Sequence, residues 1–222
     1  DSAEIALQAN PQAADAAPFP DGLDSVISAE GVAAAQAQIT AWPGYAATPL
    51  HSLTALAGSL GVAEILYKDE GPRFGLGSFK ALGGAYAVQR LIARIVEEKT
   101  GTPADPARLL AGDYAEIAAQ VTVITATDGN HGRSVAWGAQ RLGCPCRIYM
   151  HAGVSEGRAR AVEEFGATHE TLSSEAFQNS PLIPVLEGNG GIRRRIGAQP
   201  EGQDFPIIED LRKEGGTDYV AL

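Results

Sequence analysis

The stretch VTVITATDGNHGRSVAWGAQRLGCPCRIYM, residues 121–150, decides the architecture. It opens with six β-branched and apolar residues in an unbroken run, the pattern of a strand buried on both faces. A glycine-bearing turn follows. Val135, Ala136, Ala139 and Leu142 then recur on one helical face up to a stop at Gly143, and residues 147–150 return to strand character. Strand, helix and strand in that order predict a parallel pair joined by a helical crossover.

The same rhythm extends outward in both directions. On the amino-terminal side, residues 53–60 have helical spacing and stop at Gly61, 64–68 read as a strand, and 79–99 as a long helix ending near Gly101. Shorter helices are expected over 32–40 and 114–120, with residues 102–113 as a Pro- and Asp-rich connection. On the carboxyl-terminal side a helix over 155–165 ends at Gly166. The expected fold class is therefore α/β, a parallel sheet with helical crossovers. Outside this region the rhythm stops. Residues 1–40 read as an Ala- and Pro-rich arm with a short helix, 41–170 as the α/β domain, and 171–222 as a divergent tail with one expected helix near 207–214.

Composition narrows the function classes. With 222 residues, 45% hydrophobic and 20% charged, the chain is in the range of globular proteins rather than disordered polyelectrolytes. Lys and Arg number 17 against 27 Asp and Glu, a net charge of -10 that repels nucleic-acid backbones and anionic lipid. No run approaches the roughly 18 apolar residues needed to span a bilayer. The amino-terminal residues also lack the basic and apolar pattern of a secretory signal, so a cytoplasmic location is expected. Cys144 and Cys146 sit too close in sequence for an easy disulfide and supply only half a zinc ligand set, so buried or strand-edge thiols and no metal are expected.

Two constellations carry chemistry. In KDEGPRFGLGSFKALGG, residues 68–84, a strand gives way to a glycine-rich loop, and Lys80 opens an otherwise apolar helix. The positive end of the helix dipole favours the neutral amine that condenses with aldehydes, although a first-turn lysine can also be merely solvated. In TATDGNHG, residues 125–132, a turn stands at the carboxyl end of a buried strand, where ligands bind in open α/β sheets. There Asn130 can hydrogen-bond a ring hydroxyl and Asp128 can act as acid or base. The Gly129 backbone can approach a flat ligand closely, while His131 reads as a packing residue.

Together with WPGYAATPL at 42–50, YKDEGPRFGLGSFKALGG at 67–84, ATDGNHGRSVAWGA at 126–139 and YMHAGVSEGRARAVEEFGA at 149–167, these segments resemble the fold-type II family of pyridoxal-phosphate enzymes. Within it they are most similar to the ammonia-lyases of diamino acids. The resemblance implies a tryptophan-synthase-β-like fold and pyridoxal 5'-phosphate as cofactor. It further implies α,β-elimination of 2,3-diaminopropionate to pyruvate and ammonia, in a homodimer that takes a small amino-acid substrate. By the same resemblance Lys80 forms the Schiff base and moves the α-proton, Phe79 flanks the ring, Asn130 holds the 3'-oxygen beside Gly129, and Asp128 is the second acid/base group. A carboxylate at 128 also complements a substrate with an extra ammonium.

The family's catalytic fold needs a longer chain, so the resemblance implies a truncated domain. Gly188, Asn189, Gly190 and Gly191, with Arg193, Arg194 and Arg195 beyond, superficially resemble a phosphate cup without matching flanks. The tail over 180–222 is instead similar to the region preceding a class III nucleotide cyclase domain. Two alternatives stay open: a serine or threonine dehydratase on the same scaffold, and a non-catalytic interaction domain.

Overall fold

In sequence order the regular elements are α1 (Ala29–Thr40), β1 (Leu50–Ser52), α2 (Thr54–Leu60), β2 (Leu66–Lys68), α3 (Lys80–Thr100), α4 (Pro106–Ala111) and α5 (Ala115–Ala118). They continue through β3 (Val121–Ala126), α6 (Asn130–Leu142), β4 (Cys146–His151), α7 (Glu156–Glu163), β5 (Thr168–Leu172), β6 (Ile192–Arg195) and β7 (Asp218–Ala221). The computed structural model describes residues 22, 27–127, 129–173, 192–195 and 218–221. The chain divides into two compact units, residues 1–37 and 38–222. The arm expected over the first twenty residues, the helix near 207–214 and the glycine cluster at 188–191 lie outside the described residues.

The main sheet has the order β5-β4-β3-β7-β6. Strands β3 and β4, β4 and β5, and β3 and β7 pair in parallel, with Val123 opposite Cys146 and Val121 opposite Asp218. The βαβ reading of residues 121–150 is therefore the centre of the sheet, and β6 departs from it as an antiparallel neighbour of β7. Val121, Val123 and Ile124 are at most 1% exposed, as an unbroken β-branched run in a central strand requires. Polar, mostly exposed β5 (THETL) is an edge strand that sequence reading did not single out, because charged edge strands lack an apolar signature.

One core lies between the sheet and the helices. Val88, Ile92, Ile95 and Val96 of α3 join Val135, Ala136 and Ala139 of α6 and Val121, Val123, Ile148 and Met150 of the strands. Each α3 residue named recurs at three- or four-residue spacing, so the apolar stripe dictates which face of that long helix is buried.

Two expectations need correction. The strand over 64–68 does not join the parallel sheet; β2 pairs antiparallel with β1, Leu50 opposite Lys68, in a separate two-stranded ribbon. Its partner has only three residues and no alternating pattern, so the pairing had no local signal. Nor is 102–113 merely a connection. Asp105 accepts hydrogen bonds from the Ala107 and Arg108 N–H groups, Pro106 occupies the first turn, and Gly112 closes α4 at φ 88°.

Cys144 and Cys146 are both buried and free. Burial pushes each thiol up to about 12, so thiolate is scarce at ordinary pH. A chromogenic disulfide reagent at pH 8 is therefore expected to leave both cysteines unlabelled in the native chain and to label both once the chain is denatured. Rapid labelling of the native chain would contradict the burial of these two thiols.

Candidate active site

The site begins with the loop between β2 and α3, which buried polar contacts hold rigidly. Arg73, 7% exposed, donates from Nε to Glu70 Oε2 at 2.8 Å and from Nη2 to Glu70 Oε1 at 3.0 Å. It also reaches the Ala46 carbonyl at 2.8 Å and Thr48 Oγ1 at 3.1 Å, so one guanidinium ties the loop to the segment before β1. Thr48 donates in turn to Glu70. These hydrogen bonds, Arg73 first and then Thr48, hold the Glu70 carboxyl at about 2, well below its usual value of 4.5.

The next residue, Phe74, takes the left-handed conformation (φ 50°, ψ 20°), which costs a non-glycine residue energy that its surroundings must offset. Those surroundings are aromatic. Its ring centroid lies 4.9 Å from that of Trp137 on α6 and 5.7 Å from that of Trp42. The Arg141 guanidinium sits 4.6 Å from the centroids of both tryptophans, and Trp42 Nε1 donates to buried Gln89 on α3 at 2.8 Å. The loop is thus pinned to α6 and α3 before it reaches the lysine.

Lys80 opens α3 and its N–H donates to Ser78 Oγ at 3.1 Å. Asn130 opens α6 directly after the buried strand β3. One helical turn into each, the two helices touch at small residues. The Ala85 N–H donates to fully buried Ser134 Oγ at 3.0 Å, and a Cβ at Gly84 would stand 2.6 Å from that oxygen. A Cβ at Gly138 would stand 2.7 Å from Ala85 Cα. Only glycine at both positions lets the backbones approach this closely. The contact fixes the helix starts, and the site residues, relative to each other.

A cleft of about 350 Å³ lies where these starts converge, lined by Lys80, Gly129, Asn130, Arg133, Gly157, Arg158 and Ala161. Of the residues expected from sequence, Lys80, Gly129 and Asn130 are brought together there. Phe79, 63% exposed, stands outside the lining, and so does half-buried His131. Asp128 lies outside the described residues. Sequence reading missed Arg133 and Arg158. Arg133 was visible as the residue three positions after Asn130, on the same helix face, and Arg158 as a first-turn residue of α7. Among the described residues no group of His, Cys, Asp or Glu could hold a metal ion, and no helix is long and apolar enough to cross a membrane.

Comparison with known proteins bears on this geometry. The family described as pyridoxal-phosphate dependent enzyme matches residues 41–181. Diaminopropionate ammonia-lyase of Salmonella typhimurium is 43% identical over 128 residues, covering 56% of this chain and 31% of that protein. The Escherichia coli K12 lyase of the same name is 44% identical over 126 residues, covering 56% and 30%. The chain thus spans about a third of the length of these curated relatives. Among solved structures, the apo form of the Escherichia coli lyase superposes with a TM-score of 0.56 at 40% identity, covering 65% of this chain and 38% of that one. The same lyase in complex with D-serine gives 0.60 at 30% identity, covering 85% and 50%.

Proposed function

Because the chain belongs to the pyridoxal-phosphate-dependent enzyme family, we propose that it carries the lysine-bearing core of a lyase that eliminates ammonia from 2,3-diaminopropionate. The observation that carries this reading is the cleft. Lys80 and Asn130, from motifs far apart in sequence, face one space of about 350 Å³, within the size range of small-ligand sites. Its donors suit the family's cofactor: an amine for an aldehyde, an amide for a ring hydroxyl, and the Arg158 guanidinium for a phosphate.

When bound, pyridoxal phosphate supplies an electron sink for the substrate's α-carbon. With it bound, Lys80 Nζ would hold its aldehyde carbon and would remove or return the substrate's α-proton. Asn130 would orient the ring through its hydroxyl, with the Gly129 backbone alongside, and Phe79, which stands outside the cleft lining, would flank the ring only by turning inward. Asp128 is the second acid/base group and complements the substrate's extra ammonium, for which serine and threonine offer only a hydroxyl. Diaminopropionate and water give pyruvate and two ammonia, so no further reactant is needed.

The lyase-like domain is assigned to residues 41–170, and a cytoplasmic homodimer belongs to the same reading, with the mass in solution as its measure. The decisive experiment is spectroscopic. Parent protein mixed with pyridoxal phosphate is expected to develop the absorbance of lysine-bound cofactor near the visible edge, and Lys80→Ala to lose it entirely. Pyruvate should then form faster from diaminopropionate than from serine or threonine. A colourless parent protein favours a non-catalytic interaction domain; preference for serine or threonine favours the dehydratase.

A further inference from the structure

We propose that Arg133 is a positioning residue that sets the gap between the Lys80 amine and the Asn130 turn, an inference that rests on the reading of this cleft as the cofactor site. Arg133 follows Asn130 by three positions, so both side chains leave α6 on one face. From there Arg133 Nη1 crosses to the loop ahead of Lys80 and donates to the Leu76 carbonyl at 2.9 Å. Leu76 is itself buried, between Gly75 at φ 72° and Gly77 at φ 75°. Those left-handed residues turn the chain around Leu76, and a Cβ at Gly77 would lie in ordinary contact with Arg133 Nη1, at 3.7 Å.

The arginine is held from the other side as well. Its Cζ stands 5.9 Å from the Phe165 ring centroid, beyond the end of α7, and Arg133 lines the cleft beside Arg158 and Gly157 of the same helix. Its Nε is buried and has no hydrogen-bond partner. A buried N–H without a partner costs stability, so satisfied hydrogen bonds alone do not explain where this cation sits. It spans the two walls that must agree in spacing: the loop that ends in Lys80 and the helix that starts with Asn130. A small error in that spacing is costly for a reaction that needs an amine and a ring hydroxyl partner at one ligand.

The test uses Arg133→Gln and Arg133→Lys in the full chain, with exposed Arg160→Gln as control. Three quantities are read: melting temperature, amide hydrogen exchange of residues 74–79, and pyridoxal phosphate affinity from absorbance. Arg133→Gln is expected to melt within a few degrees of the parent, to exchange faster in 74–79 and to bind cofactor at least tenfold more weakly. Arg133→Lys, which keeps the charge and a shorter donor, is expected to fall between them and carries the test should the Gln variant not fold. Unchanged affinity, or a loss of protection spread evenly over the chain, overturns the proposal. If the parent binds no cofactor, the lyase reading fails; the positioning link then stands or falls on whether the exchange change is confined to 74–79.

Discussion

Gly138→Ala is expected to destabilise the chain although alanine is the better helix former. The gain in helix propensity is about 1 kcal/mol at most. Against it stands a Cβ placed 2.7 Å from Ala85 Cα, 3.1 Å from Ala85 Cβ and 3.3 Å from Val88 Cβ. The nearest of these atoms is backbone, which cannot swing aside, so α3 and α6 must separate along the contact that positions Lys80 and Asn130. Overpacking of this kind costs about 1–3 kcal/mol, at the upper end when backbone must move. The clash therefore wins. At about 2–4 °C per kcal/mol for a unit of this size, Gly138→Ala should melt several degrees below the parent, and Gly138→Val should scarcely fold. Gly83→Ala supplies the contrast. That exposed helical position has nothing within 4 Å of an added Cβ, so the propensity gain stands alone and the melting temperature should rise. Gly138→Ala melting at or above the parent temperature would show that the two helices do not meet at Gly138 and Ala85.

This helix contact also marks the limit of what the sequence discloses. Residues 121–150 identified a parallel βαβ unit because an unbroken β-branched run and a 3.6-residue apolar period are local signals, each completed within a few residues. Lys80, Gly129 and Asn130 were legible as candidates for the same reason: each sits at a strand-to-helix junction marked by glycines. What Gly84 and Gly138 do was not legible, since an isolated glycine in a helix reads only as a weak point until the partner backbone is in place. Arg73 was similarly opaque. Its partners Ala46 and Thr48 stand 27 and 25 positions away, and no spacing rule links a loop arginine to a segment beyond an intervening ribbon. Arg133 was hidden behind Asn130, because its role depends on a carbonyl 57 positions back.

The second large effect is expected at Arg73. Arg73→Met removes the buried cation and leaves Glu70, whose side chain is 20% exposed, facing the Thr48 hydroxyl with its charge partner gone. Breaking a buried pair from one side costs about 3–5 kcal/mol, the lower part of that range being appropriate where water still reaches the carboxylate. Lysine at 73 should rescue little, since an ammonium cannot make the forked contact to both Glu70 oxygens while also reaching Ala46. The double variant Glu70→Gln/Arg73→Met should lose less than the sum of the single losses, because no unpaired charge remains. Acid adds an independent readout. Glu70 is held at about 2 in the folded chain against a usual 4.5, so the unfolded chain binds the proton first as pH falls. Its contribution is complete above pH 4.5 and drains away between there and about 2. Denaturant midpoints of the parent should therefore fall over that window, and those of Glu70→Gln should fall less steeply. Parallel slopes would mean that the Glu70–Arg73 pair does not hold the loop, and that Phe74 must be kept in its left-handed conformation by the aromatic cluster alone.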